Sequence, residues 1–189
     1  METTTPLETE IKIPVSDLKA VRVLLENCEA TCVQMMARES NTLYDTAEHQ
    51  ITQKGHTLRL RSFAGRSVVT HKGTMSYLGS IKIREELEVL VDDLDTFGAI
   101  LGALGFEPSI RYEKDREEWR LEGMLITLDH TPMGDFVEIE GPVSTIPKIA
   151  ERLELDLDDA VRGSYLSLWL EYRHQRPDQN LGRNMVFAT

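Results

Sequence analysis

Carboxylates and cations recur in this sequence at a spacing of two. Glu8 and Glu10 are followed by Lys12, Arg59 by Arg61, Thr70 by Lys72, Lys82 and Arg84 by Glu86 and Glu88, Lys114 by Arg116, and Glu138 by Glu140. In an extended strand residues i and i+2 point the same way, so each set projects from one face. Two carboxylates side by side, Glu8 with Glu10 or Glu138 with Glu140, can share a hard divalent cation, which takes oxygen ligands. Two guanidinium groups side by side, Arg59 with Arg61, repel unless an anion lies between them, and their planar donor forks suit phosphate oxygens. Carboxylate pairs with rows of Arg and Lys are what a metal-bound polyphosphate requires.

The elements that must position these residues are legible as period-two alternation. Leu7 to Ile13, Thr57 to Arg61, Val68 to Lys72, Ile81 to Val91, Arg111 to Arg120, Met124 to Asp129 and Phe136 to Glu140 all read as strands, giving seven or eight in total. Helices lie between them. Ser16 or Asp17 can cap one in which Leu18, Val21, Leu25 and Cys28 share a face, and Leu94 to Leu104 forms a second, stopped by Gly105. Thr145 and Pro147 open a third, and Ser164 caps a last one carrying Leu166, Trp169 and Leu170. Residues 1–173 read as a single domain, and 174–189 as a loop tail in which Met185-Val186-Phe187 can dock on the body. The class is α+β around an antiparallel sheet.

Charge alternation is most often only the wet face of a half-buried sheet. Here the polar positions are almost all charged, and basic strands are segregated from acidic pairs along the chain. Closing the sheet into a barrel turns alternate residues into one lumen and brings the two signs together.

The composition narrows the partners. Among 189 residues, 21 Lys and Arg face 32 Asp and Glu, a net charge of −11. A nucleic-acid or membrane-surface binder needs a basic face, so neither is expected. With 41% hydrophobic and 28% charged residues the chain can build a core, and no apolar run approaches a membrane span. Met1 to Pro6 lacks the pattern of a leader, and the expectation is a cytoplasmic protein, monomer or homodimer. Cys28 and Cys32 are too few for a disulfide framework, the five histidines lack metal-ligand spacing, and no phosphate loop or nucleophile elbow occurs. Trp119 and Trp169 fit as outer packing on helices, though Trp119, near a strand end, could line a tunnel mouth.

Glu8-Thr9-Glu10-Ile11-Lys12 matches the ExExK signature of the CYTH superfamily, the triphosphate tunnel metalloenzymes. Further elements follow in order: Leu43-Tyr44-Asp45-Thr46, Leu58-Arg59-Leu60-Arg61, Thr70-His71-Lys72-Gly73, Arg84-Glu85-Glu86-Leu87-Glu88, Lys114-Asp115-Arg116, Asp129, and Gly134 through Gly141. The chain resembles that family over roughly residues 7 to 170, a run of motifs far more specific than any one of them. It is most similar to the bacterial branch of class IV adenylate cyclase-like and thiamine triphosphatase-like proteins.

The resemblance implies a closed eight-stranded antiparallel barrel with a charged lumen and helices outside, holding a small triphosphate and one or two Mg²⁺ or Mn²⁺ ions. It implies that Glu8, Glu10, Glu138 and Glu140 surround the metal, with Asp129 and one of Glu86 or Glu88 assisting. Lys12, Arg59, Arg61, Lys72, Arg84, Lys114 and Arg116 would grip the phosphates, and Lys12, with Glu8 and Glu10, would serve the catalytic step. A bulge in the strand from Ile81 to Val91 would change whether Lys82 and Glu88 face in. Three activities follow: hydrolysis of an inorganic, thiamine or nucleoside triphosphate; cyclisation of ATP to cyclic AMP and pyrophosphate; or binding without catalysis. Both glutamate pairs are intact, which favours catalysis, and hydrolysis stands first. The seven basic and seven acidic residues so assigned cancel, leaving the chain's negative charge outside the site.

Overall fold

The alternating segments form strands that close on one another. In the computed structural model, which describes residues 6–188, these are β1 (Leu7–Val15), β2 (Thr31–Thr46), β3 (Thr57–Phe63), β4 (Arg66–Lys72), β5 (Ser76–Leu78), β6 (Ile81–Leu90), β7 (Phe106–Leu121), β8 (Met124–Thr131) and β9 (Gly134–Glu140). Met1 to Thr5, most of the stretch read for a leader, and Thr189 lie outside the described residues. Every pairing between the named strands is antiparallel, in the order β1-β9-β8-β7-β2-β3-β4-β6, and β1 also pairs with β6. That second pairing closes an eight-stranded barrel. The short β5 pairs with the start of β6 as a ninth strand, on the edge that β4 takes further along.

Tight turns set the hairpins. Ala64-Gly65 joins β3 to β4 and Glu122-Gly123 joins β7 to β8, each with both residues at positive φ, as two-residue turns matched to strand twist require. The two turns lie at the same end of the barrel, at the C-termini of β3 and β7.

On β1, β8 and β9 the outward parity is apolar and is covered by helices. The helix α1 (Leu18–Asn27), capped by Asp17 accepting from Lys19 N–H, lays Leu18, Val21 and Leu25 on Ile11, Ile13, Ile126, Leu128, Val137 and Ile139. The helix α4 (Ile146–Arg152) completes that cluster with Ile146, Ile149 and Ala150. Burying one such side chain contributes roughly 1.5–3 kcal/mol, so this layer supplies the stability that a charged interior cannot. The helix α3 (Leu94–Ala103) seats Leu101 against Leu60 and Val69, close enough that a Cβ on Gly98 would stand 2.7 Å from the Tyr44 hydroxyl. The helix α5 (Tyr165–His174) starts at a Ser164 capping box and packs Trp169 with Tyr112, Phe136 and Met185.

Three expectations change and one alternative is settled. The sixteen-residue β2 is absent from the strands read in the sequence, because register shifts between Cys32 and Gln34, Gln34 and Ala37, and Leu43 and Tyr44 break its alternation. A short α2 (Gln50–Gln53) also goes unread; Asp45 holds it by accepting from the backbone of Ile51 and Thr52. Trp119 packs outside, as expected, rather than taking the alternative place at a mouth: it lies on the outward face of β7, 5% exposed, donating to the Glu117 carboxylate within the α1 cluster. The tail is not plain loop. Beyond α5 it makes a 3₁₀ turn at Pro177–Gln179, then Met185 bridges Tyr112 where β8 no longer covers β7.

Candidate functional site

Inside the barrel the register itself sets opposite charges face to face. Across β1 and β6, Glu10 stands opposite Lys82; across β1 and β9, Lys12 opposite Glu138; across β4 and β6, Lys72 opposite Glu86. Across β7 and β8, Arg116 stands opposite Asp129, and across β2 and β7, Lys114 opposite Glu39. Each of these pairs is an ion pair in the folded protein. Away from bulk water, unpaired charges cost several kcal/mol each, so the pairing is what lets so many charged side chains be buried.

The lumen holds a cavity of about 410 Å³, within the range of small-molecule sites. Glu8, Glu10, Lys12, Arg59, Arg61, Lys72, Arg84, Glu86, Glu88, Lys114, Arg116, Glu138 and Glu140 all line it, as does Lys82. Asp129 lies behind the wall, fully buried, accepting from Lys114 at 3.0 Å, from Arg116 and from the Tyr165 hydroxyl at 2.6 Å. No bulge interrupts β6, whose ladders keep register from Ile81 to Leu90, so both Glu86 and Glu88 face inward along with Lys82. They differ in depth. The Glu86 side chain is 15% exposed and pairs with Lys72 at 3.0 Å, whereas that of Glu88 is 45% exposed and accepts from Thr70 at 2.8 Å.

The two ends of the cavity differ. Ser164, Tyr165 and Leu166 of the α5 start lie against one end, tied down by Val161 N–H to the Lys12 carbonyl and Gly163 N–H to the Tyr77 hydroxyl. At the other end stand Arg66, Val68, Glu118, Arg120 and Leu125, beside the two hairpin turns, and exposure rises there.

Among the described residues, one group of carboxylates is arranged for a metal ion: Glu8, Glu10 and Glu140 bring one oxygen each within 4.8 Å of one another. Two observations say the group fits a hard divalent cation. The Glu8 Oε2 atom is buried without a hydrogen-bond partner, and Glu140 is pushed up to about 7 by burial and by the neighbouring charges of Glu8 and Glu10. Three carboxylates crowded together, one of them pushed toward its protonated form by burial and by the other two, is an arrangement that a dication relieves. Glu138 behaves in the opposite way: although burial opposes ionisation, Lys12, Lys114 and Arg116 hold its carboxyl well below the usual range. The other expected ligands, Glu86, Glu88, Asp129 and Glu138, are each paired with cations, as Glu8 is with Lys72 and Glu10 with Lys82; Glu140 alone of the seven has no ion pair among the described residues.

The cations divide likewise. Lys12 is kept charged by Glu138 and Glu10 against its burial. Arg59 donates to Thr70 at 3.1 Å and to Tyr112 at 3.3 Å, and its Nε has no partner. Arg84, opposite Glu8 in register, donates only to the Gly73 carbonyl and the Thr57 hydroxyl. It is the one buried cation of the lining with no carboxylate within 4 Å among the described residues, its Nε is unpartnered, and burial lowers its pKa. An anion would satisfy both arginines.

Sequence reasoning missed Glu39, Tyr112 and Tyr165. Glu39 and Tyr112 sit on inward positions of β2 and β7; Tyr112 shares the parity of Lys114 and Arg116, and the signal for Glu39 was the alternation Glu39, Asn41, Leu43, Asp45, hidden by the bulges on either side. Tyr165 comes from a helix, with Lys12 and Lys114 Nζ at 4.1 and 4.6 Å from its ring centre, a placement that strand periodicity cannot reveal. Lys82 and Glu39 add one charge of each sign to the lumen, leaving its balance as it was.

Comparison with known proteins agrees with this geometry. Residues 6–162 match the family model of the CYTH domain. A Methanocaldococcus jannaschii protein named "Putative adenylate cyclase" is 27% identical over 173 residues, covering 86% of this chain and 98% of its own. A Vibrio parahaemolyticus structure with the same description has a TM-score of 0.77 at 22% identity, over 88% of this chain and 99% of that one. A Hippeastrum protein, described as an adenylyl cyclase under the same qualifier that reveals a dominant triphosphatase activity, has a TM-score of 0.65 at 16% identity, over 87% and 95%. At these identities the two structures attest the fold.

Proposed function

Because the chain belongs to the CYTH domain family, we propose that its tunnel binds a small triphosphate together with Mg²⁺ or Mn²⁺ and hydrolyses it, releasing phosphate. The observation that carries this reading is the juxtaposition of the Glu8, Glu10 and Glu140 carboxylates with Arg84, the buried cation of the lining that lacks an acidic partner.

Glu8, Glu10 and Glu140 would hold the metal, which supplies charge neutralisation on the phosphate oxygens and a lowered pKa for water. The chain's own residues do the rest. Arg84 and Arg59, with unpartnered Nε atoms, offer donors that need no prior ion pair to break. Lys72 and Lys82 neutralise Glu8 and Glu10; with those carboxylates holding a metal, Lys82 would offer its ammonium group to phosphate oxygens, and Lys72 would do so while still paired with Glu86. Lys114 and Arg116, fixed from behind by Asp129, form the preorganised wall that stabilises charge developing on the leaving oxygens. Lys12 stays ionised beside Glu10 and Glu138, so it acts as a charge and a donor, and is no proton acceptor at neutral pH. The closed end at Tyr165 limits entry to the end that carries Arg66 and Arg120, and a compact chelated anion passes where a long nucleic acid would meet an exterior of net negative charge.

Cyclisation of ATP is the second reading, favoured by the name of the Methanocaldococcus relative. The two part on products. Purified protein is incubated with Mg²⁺ or Mn²⁺ and, separately, tripolyphosphate, thiamine triphosphate and ATP. Phosphate released without cyclic AMP supports hydrolysis; cyclic AMP and pyrophosphate from ATP overturn it in favour of the cyclase. Binding without turnover of any of the three would overturn both.

A further inference from the structure

We propose that Glu39 is a positioning residue of the tunnel, anchoring Arg61, Lys114 and Arg116 from behind the cavity wall and offsetting part of their charge so that product anions can leave. The proposal rests on the functional reading above. Glu39 is fully buried and does not line the cavity, so neither substrate nor metal touches it. Its carboxylate lies 3.6 Å from Arg61 Nε, 3.7 Å from Lys114 Nζ and 3.8 Å from Arg116 Nε. Three cations share one anion, and none of them hydrogen-bonds to it: Oε2 has no partner at all, while Oε1 accepts from Asn41 Nδ2 at 2.9 Å.

Asn41 completes the strut. Its Oδ1 accepts from Arg61 Nε at 3.3 Å, so the pair Glu39 and Asn41, adjacent on the inward face of β2, holds the guanidinium through one bond and one charge. Register fixes the arrangement, with Glu39 opposite Lys114 on β7 and Asn41 opposite Arg61 on β3. The carboxylates that line the cavity can exchange their cations for a metal when substrate arrives. Glu39 cannot, and so its charge is a constant subtraction from the wall's attraction for anions.

The sign of the effect separates this role from a merely structural one. Glu39→Gln keeps the shape and the acceptor for Asn41 but removes the charge, leaving the three cations in surplus. Anions should then bind tighter, by about tenfold for inorganic tripolyphosphate with a steeper salt dependence; a site that had only lost its order would bind weaker. The experiment is calorimetric titration of tripolyphosphate into metal-free wild type, Glu39→Gln and Asn41→Leu at two ionic strengths. Pyrophosphate inhibition of turnover is measured alongside. The expected result is tighter binding and stronger pyrophosphate inhibition for Glu39→Gln, and weaker binding for Asn41→Leu, which loses the Arg61 anchor without a change of charge. If Glu39→Gln folds poorly, thermal unfolding with and without tripolyphosphate replaces the titration, and the ligand should raise its midpoint more than that of wild type. Equal or weaker binding, or an equal or smaller rise, overturns the role of Glu39. A wild type that binds no tripolyphosphate, with Mg²⁺ present as well as without it, overturns the functional reading and the proposal with it.

Discussion

Glu10 and Glu140 stand directly opposite one another across the β1–β9 ladder, carboxylate against carboxylate, in a barrel whose other facing charges are largely of opposite sign. Like charges in this position destabilise a sheet, and Glu8 adds a third of the same sign. The arrangement is explained by a cation between them. Adding Mg²⁺ or Mn²⁺ should therefore raise the unfolding midpoint, since whatever binds the native state stabilises it. Glu140→Gln should remove most of that rise while leaving the metal-free protein as stable as wild type or more so. A scanning calorimeter reads both.

The same group gives a pH dependence. Glu140 is pushed up to about 7, above the ordinary carboxylate range, by burial and by Glu8 and Glu10. Between that ordinary range and 7 the folded state holds a proton that the unfolded chain has released, so this group's contribution to stability falls as pH rises through the interval. Metal binding expels the proton. Metal affinity should accordingly climb with pH up to about 7 and level off above it, with close to one proton released at pH 6 and almost none at pH 8.5. Titration calorimetry in buffers of different ionisation enthalpy counts these protons.

Arg84 and Arg116 should separate binding from stability. Arg116 serves Asp129 and Glu138 in the buried wall, and removing it strands two carboxylates, so Arg116→Ala should cost about 3–5 kcal/mol by denaturant unfolding. Arg84 has no carboxylate to strand, and burial already works against its charge. Arg84→Ala should leave stability near wild type yet raise KM for every triphosphate by about tenfold or more, the loss of a charged hydrogen bond to an anion.

Tyr165→Phe tests the closed end. The hydroxyl is one of several donors to Asp129, at 2.6 Å, and its loss should cost about 1–3 kcal/mol because the acceptor stays buried. Denaturant unfolding measures it, and an unchanged midpoint would show that Asp129 is satisfied by Lys114 and Arg116 alone.

How far the sequence foretold this molecule depends on how local the determinant was. Strands with strict alternation, such as those of Glu8 to Lys12 and Arg59 to Arg61, could be read because one parity meets helices and the other meets charge. The helix caps Asp17 and Ser164 could be read because capping is chemistry within four residues. β2 could not, since its bulges displace parity and Ser40-Asn41-Thr42 has turn composition; tertiary pairing with both β3 and β7 overrides that local preference. Glu39 was lost with the strand that carries it. The expected metal ligands came from the family resemblance together with parity, which assigns a face but cannot say which carboxylates the register sets against cations. That distinction, Glu138 held by Lys12 and Arg116 while Glu140 faces Glu10, exists only once β1 and β9 are paired.

The central claim, metal-dependent hydrolysis of a triphosphate at Glu8, Glu10 and Glu140, is met most directly by phosphate release from tripolyphosphate with and without Mn²⁺, wild type against Glu10→Gln. The account predicts release by wild type that vanishes when the metal is chelated and falls at least about a hundredfold in a folded Glu10→Gln protein, as loss of a ligand in an open metal site does. Release that survives chelation, or that Glu10→Gln leaves unchanged, would contradict it.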